Sequence, residues 1–208
     1  EENHWKVIRY MRDQFAQNGT APNLRFLQKG LKEEFGDEWG NKWMFHYRWA
    51  RDVDQISSAG RIARMRAPQA SEAEHDAFAQ QVRARMVDRV WFVGSNAVTA
   101  PQIEAGFQEM LGLLDTHLAT RPYLFGARPA YGDFGLWGQF YEMWTDPTVG
   151  ALIGGGAPHV LDWIHRMLWP RDEGGFESWR TLAPTMMPFL TGQVGRQAQV
   201  LLHEPCDR

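Results

Sequence analysis

The chain has 208 residues, of which 44% are hydrophobic and 23% charged, with a formal net charge of −3; this suits a globular protein with one sizeable core. Residues 1–54 carry nine acidic and nine basic side chains, residues 55–100 four and six, and the remainder twelve and seven, so no segment is the polycation that nucleic-acid binding needs. Cys206 is the single cysteine, which excludes an intrachain disulfide, and no apolar run reaches the roughly 20 residues of a membrane-spanning helix. A cytoplasmic setting is therefore expected, without nucleic-acid or membrane partners. The sequence shows no secretory leader and opens at Glu1 rather than Met, as if cut from something longer. Ten tryptophans predict a bulky aromatic interior or cleft.

Helical patterns dominate in chain order. Trp5, Val7, Ile8, Tyr10, Met11 and Phe15 form a broad apolar face that stops at Asn18-Gly19. Leu24, Leu27, Leu31 and Phe35 recur at three and four residues, and a second stripe follows at Trp39, Trp43, Met44 and Tyr47. The stretch continues toward Met65 as one long kinked helix or two, with Gly36 and Gly40 weakening the join. Pro68 breaks the run. Ser71 with Glu74, and Thr99 with Gln102, each have capping-box spacing, in which a hydroxyl takes an orphan backbone N–H and the N3 side chain reaches back.

Between 103 and 118 the apolar residues Ile103, Phe107, Met110, Leu111, Leu114 and Leu118 give the cleanest amphipathic pattern. Arg121-Pro122 stops it. Residues 133–144 read as a helix apolar almost all round, hence central and buried, ended by Asp146-Pro147. Gly154, Gly155 and Gly156 read as a loop, residues 158–169 as a further helix, and residues 182–202 as a helical tail interrupted by Pro184, Pro188, Gly192 and Gly195. Runs of alternating β-branched residues are nearly absent, so the expected fold class is all-α.

Few side-chain sets suggest chemistry. The three glycines before residue 158 lack the lysine-containing ending and the preceding strand of a phosphate loop. His159, Asp162 and His165 share a helix face at three-residue spacing, but surface placement outweighs metal ligation, and no metal is expected. His203 and Cys206 lie near the terminus, where Cys206 lacks the cationic surroundings of a reactive thiol. Residues 39–49 hold Trp39, Trp43, Phe45, His46, Tyr47, Arg48 and Trp49. One face of that helix can serve the core while another lines a pocket for flat apolar molecules. The expected pocket residues are Trp43, Phe45, Tyr47 and Arg48.

Residues 123–134 read Tyr-Leu-Phe-Gly-Ala-Arg-Pro-Ala-Tyr-Gly-Asp-Phe. This stretch resembles the glutathione transferase signature "Y-L-x-G-x-x-P-[ST]-x-A-D", which enters a buried central helix of the C-terminal helical domain. Asp133 stands at the family's capping aspartate. Ala130 replaces its Ser/Thr, which leaves the carboxylate half of the cap. Residues 110–118 resemble the helix that precedes this signature. In a full-length relative, the acid-Ser pair that binds glutathione would fall at Asn3 and His4, where neither residue type is present.

The resemblance implies an all-α bundle of the glutathione transferase C-terminal type. Residues 1–20 would be a short leading helix at the end of a truncated thioredoxin-like domain, and residues 21–208 the helical substrate-binding domain. It further implies a site for a small hydrophobic electrophile, a homodimer contact, no catalytic residue in this chain, and glutathione as co-substrate only with the missing half. The alternative is a non-catalytic helical protein-interaction module of the same fold.

Overall fold

A computed structural model of the protein describes residues 42–191. The helices among them are α1 (Lys42–Ala50), α2 (Asp52–Arg66), α3 (Glu72–Val87), α4 (Ala100–Leu118), α5 (Tyr131–Trp144), α6 (Pro147–Gly156), α7 (Pro158–Arg166) and α8 (Trp179–Phe189), with a 3-10 turn at Val90–Val93. No strand occurs among the described residues, and extended pairing is confined to isolated bridges at Tyr123–Gly126 and Gly126–Phe176. The expected all-α architecture of the glutathione transferase C-terminal type is the observed one. The stripes at residues 5–15 and 24–35, Trp39, and the tail with His203 and Cys206 lie outside the described residues.

The core is built on α4. Its predicted stripe is the buried one: Ile103, Phe107, Met110, Leu111, Leu114 and Leu118 all lie inside. The same cluster takes Tyr47 from α1, Phe140 and Met143 from α5, Trp163 and Ile164 from α7, and Leu182 and Met186 from α8. Burying such side chains is the main favourable term of folding, at about 25 cal/mol per Å² of apolar surface. A second, smaller cluster of Trp49, Ala59 and Val90 is flanked by Phe45, Ile62, Ala79, Val82 and Met86, and it fastens α3 to α1 and α2.

The segment from 42 to 66 is two helices, broken at Arg51, whose backbone is extended. The Ser71 cap is present. The Glu74 amide donates to Ser71 Oγ at 3.4 Å, and the Ser71 amide donates to Glu74 Oε2 at 2.8 Å. The Thr99–Gln102 box is not formed. Thr99 Oγ1 instead accepts from the Asn96 amide and donates to the Gly94 carbonyl, because the 94–99 turn folds back on itself before α4 begins.

Two further expectations need correction. Helix α5 is less buried than its composition suggests. Only Asp133, Phe140 and Met143 are fully inside, while Phe134 is 48% exposed. The reason is position: α5 packs on α1, α6 and α7, and is not ringed by neighbours. Gly154, Gly155 and Gly156 are not a loop but the last turn of α6. Asp146-Pro147 ends α5 and also starts α6, since proline is pre-shaped for the first helical turn and has no N–H to leave orphaned.

Between α4 and α5 the chain makes a tight hairpin closed by reciprocal bonds of Tyr123 and Gly126. A strap at 173–177 runs back along it, with the Ala127 amide donating to Gly175 O, the Glu173 amide to Ala127 O and the Glu177 amide to Phe125 O. Gly126 has φ +132°, and an added Cβ would lie 2.7 Å from Gly175 O. Only glycine fits both the backbone and the space there.

Candidate functional site

Helix α1 carries all four residues expected to line an apolar pocket, and it distributes them over different surroundings. Trp43 is half-buried edge-on to Phe107 at 6.1 Å between ring centres. Tyr47 is fully buried against Phe107 at 5.1 Å, and the Arg51 guanidinium lies 5.5 Å from its ring centre. Phe45 turns to the second cluster beside Trp49. Arg48 leaves the aromatic set and reaches the α5–α6 corner. Burial, with help from Glu104, pushes the Tyr47 phenol up to about 12. Its buried hydroxyl has no hydrogen-bond partner among the described residues.

The corner that Arg48 reaches is built around a buried carboxylate. Asp146 is fully buried. Its Oδ2 accepts from Arg48 Nε at 3.0 Å, and its Oδ1 accepts from the Ser58 hydroxyl at 2.8 Å and from Arg61 Nη2. Arg48 also donates to Glu142 Oε2 and to the Glu142 carbonyl, and Arg61 donates to the Thr145 carbonyl. Two residues into α6, Thr148 gives its amide and its hydroxyl to the two oxygens of the equally buried Asp54, at 2.9 and 2.6 Å. Two carboxylates thus meet the N-terminus of α6, where orphan N–H groups and the helix dipole favour negative charge. The sequence signal was present: an aspartate directly before a proline is a helix-start pattern.

A second polar chain runs through His46, which is 1% exposed. Its Nε2–H donates to Glu104 Oε1 at 3.2 Å, and its Nδ1 lies 2.7 Å from Ser95 Oγ. Arg51 Nη2 closes the chain on the same Glu104 oxygen at 2.7 Å. With Nε2 protonated, neutral imidazole leaves Nδ1 free to accept from the Ser95 hydroxyl, so one tautomer satisfies both ends. Burial is the largest influence on His46 and holds its pKa below the usual imidazole value.

At the opposite end of α4, His117 donates from Nε2 to the Leu124 carbonyl at 2.8 Å and accepts at Nδ1 from the Thr185 hydroxyl at 2.7 Å. Burial lowers its pKa as well. Asp133 Oδ1 accepts from the Leu124 amide at 2.8 Å and from the Trp163 indole at 3.0 Å, and its Oδ2 accepts from the Ala130 amide at 2.9 Å. The capping carboxylate of the signature is therefore in place, and it also ties the hairpin and α7 to α5. Asp115 plays a similar part for α7, accepting from the amides of His159 and Val160.

A groove of about 420 Å³ opens between the end of α4 and α7, lined by Thr120, Arg121, Pro122, His159, Asp162, Arg166 and Glu173. It is polar and of mixed charge. His165 turns away from it, edge-on to Trp144. Among the described residues no group of three or more His, Cys, Asp or Glu side chains is placed to hold a metal ion. No helix there is long and apolar enough to cross a membrane.

Two family models match the chain in adjoining stretches. Residues 73–166 match the glutathione S-transferase C-terminal domain, and residues 1–70 match the family described as DsrC like protein. The chain is also similar to Sulfurtransferase TusE of Escherichia coli (strain K12), at 42% identity over 38 residues, which is 18% of this chain and 35% of that protein. Sulfurtransferase TusE of Salmonella choleraesuis (strain SC-B67) is 37% identical over 43 residues, 21% of this chain and 39% of that protein. The protein of the same name from Photorhabdus laumondii is 40% identical over 40 residues, 19% and 36% of the two chains. The matches thus span little more than a third of these relatives' length. No solved structure matches. The change from one family model to the other falls between α2 and α3. Helices α1 and α2 lie in the first match, yet Arg48, Ser58, Arg61, Asp54, His46 and Arg51 bond them to residues of the second.

Proposed function

We propose that this chain is a non-catalytic helical module of protein sulfur transfer, rather than the electrophile-binding half of a glutathione transferase. One observation carries the reading. A segment that matches the DsrC like family continues directly into the stretch that matches the glutathione transferase C-terminal domain, and its helices α1 and α2 are fixed there by ion pairs to the buried Asp146. On this reading the bundle is a platform that holds the leading segment and presents it to a protein partner. Sulfur passes between proteins when an acceptor thiolate attacks the outer sulfur of a donor cysteine persulfide, whose S–S bond breaks as the donor cysteine leaves as its thiolate. Cys206 is the one thiol of this sequence that could receive it.

The glutathione transferase reading is favoured by the match at 73–166. It calls for a group that stabilises the glutathione thiolate, a cleft for a small hydrophobic electrophile, and in the family a homodimer. Tyr47, expected to line that cleft, is fully buried, and burial pushes its phenol up to about 12.

A paired assay separates the two readings. The full chain is given glutathione with a chloronitrobenzene electrophile, and in parallel a persulfide-loaded sulfur-carrier protein followed by intact mass measurement. The expected result is no conjugation above background, and a gain of about 32 Da that Cys206→Ser abolishes. Steady conjugation without sulfur uptake would overturn the proposal.

A further inference from the structure

The groove between the end of α4 and α7 presents charges of both signs that the fold leaves open. Arg121, on its floor, is not one of them. It is 8% exposed, and its guanidinium donates to both oxygens of Glu177, at 3.2 and 3.3 Å, and to the His117 carbonyl. The N-terminus of α7 is taken as well, because the amides of His159 and Val160 go to Asp115. An anion in the groove therefore cannot use that helix end. Arg166 is different. Its Nη1 donates to the Pro122 carbonyl at 3.2 Å, which anchors the guanidinium at the wall, and its other donors have no partner among the described residues.

Asp162 lies one turn before Arg166 on the same face of α7. Among the described residues its carboxylate has neither a hydrogen bond nor an ion pair, with Arg166 or with any other group. Glu173 brings a second carboxylate from the strap, bonded only through its backbone amide. Leu118 and Ala119 also line the groove, so the C-terminal end of α4, with its partial negative charge, faces it. Asp162 and Arg166 leave their helix about 6 Å apart, and the volume of about 420 Å³ is that of a small-molecule site.

We propose that this groove binds the zwitterionic head of a free α-amino acid: the ammonium against Asp162 and Glu173, the carboxylate against the Arg166 guanidinium, and an apolar side chain along Leu118 and Pro122. Such a head carries its two charges on one carbon, which suits opposite charges one helical turn apart. Each gains a charge-assisted partner that the fold does not supply. A simple anion would meet the two carboxylates, and a simple cation would meet Arg166. The inference goes beyond the sulfur-transfer reading and needs neither Cys206 nor the leading segment.

The test titrates the full chain with L-leucine and follows the backbone amides by NMR. N-acetyl-leucine, which lacks the ammonium, and leucine methyl ester, which lacks the carboxylate, are titrated alongside. Leucine should give saturable shifts at residues 118–122 and 159–166, half-complete at about 10 mM or below, and both blocked forms should bind about tenfold or more weakly. Asp162→Asn should abolish the discrimination against N-acetyl-leucine, and Arg166→Gln that against the methyl ester. Asp162 is exposed, so its variant keeps the fold and decides the matter even where loss of the Pro122 bond unsettles the other. No saturable shift up to about 50 mM leucine, blocked forms that bind as leucine does, or shifts centred away from the groove would each overturn the proposal.

Discussion

Asp133 and Trp163 are joined by a buried hydrogen bond, the indole N–H donating to Oδ1 at 3.0 Å. The same carboxylate takes the amides of Leu124 and Ala130. A residue expected only to cap one helix therefore also sets the position of α7 and of the preceding hairpin. Asp133→Ala leaves three donors unpaired, two of them buried, and should cost about 3 kcal/mol, above the usual value for a cap. Ala130→Ser should add about 0.5–1 kcal/mol with Asp133 present and less without it. A denaturant double-mutant cycle measures both, and neutral, uncoupled changes would remove this account of the motif.

Asp146 should be the costliest polar residue to remove from the junction. Its partners Arg48, Ser58 and Arg61 would face an apolar gap after Asp146→Ala, and the expected loss is about 3–5 kcal/mol. Arg61 is 41% exposed at its side chain, so Arg61→Ala should cost under about 1 kcal/mol. Urea unfolding of both variants ranks them, and equal losses would contradict the assignment of Asp146 as the hub.

Tyr47→Phe removes a buried hydroxyl that has no partner among the described residues. The change should be neutral or stabilising, by up to about 1 kcal/mol, since it takes away only an unmet desolvation cost. A loss beyond about 1 kcal/mol would mean that the hydroxyl is bonded in solution.

Acid should destabilise the domain earlier than carboxylate titration alone would. His46 and His117 both have pKa values held below the ordinary value, chiefly by burial. The unfolded chain therefore binds protons first as pH falls. Stability from these groups is complete above about 6.5 and declines as pH drops through their folded values. Urea midpoints at about pH 7.5 and 5.5 should differ in that direction, and a midpoint that rises on acidification would contradict it.

Gly126→Ala should cost about 2 kcal/mol or more, because the new methyl meets the 173–177 strap where φ is positive. Gly135→Ala in α5, where nothing lies within 4 Å of the added carbon, should be neutral or favourable by up to about 1 kcal/mol. Thermal midpoints of the pair give the contrast.

The helices were legible wherever periodicity and a cap agreed. The α4 stripe and the Ser71–Glu74 box both appear as read, because they depend on residues a few positions apart. Asp133 was legible as a cap, but its bond to Trp163 spans 30 positions and has no local signature. The polar junctions were hidden for the same reason: Arg48 and Asp146 are 98 positions apart. Composition misled at α5, where apolar residues on every side implied full enclosure, and at Gly154–Gly156, where tertiary support carries glycines through a helical turn. The aromatic run of α1 was legible as two faces. Which neighbour each face meets depended on where α4 and α5 lie.

The seam between the two matched stretches is a link of a few residues, inviting to anyone dividing the gene. A cut there would strip Asp146 and Thr148 of Arg48, Ser58, Arg61 and Asp54, and leave Glu104 without His46 and Arg51. Among the described residues, the two matched stretches are bonded into one unit. The halves would be recovered as soluble pieces only when produced together, each supplying the counter-charges that the other buries.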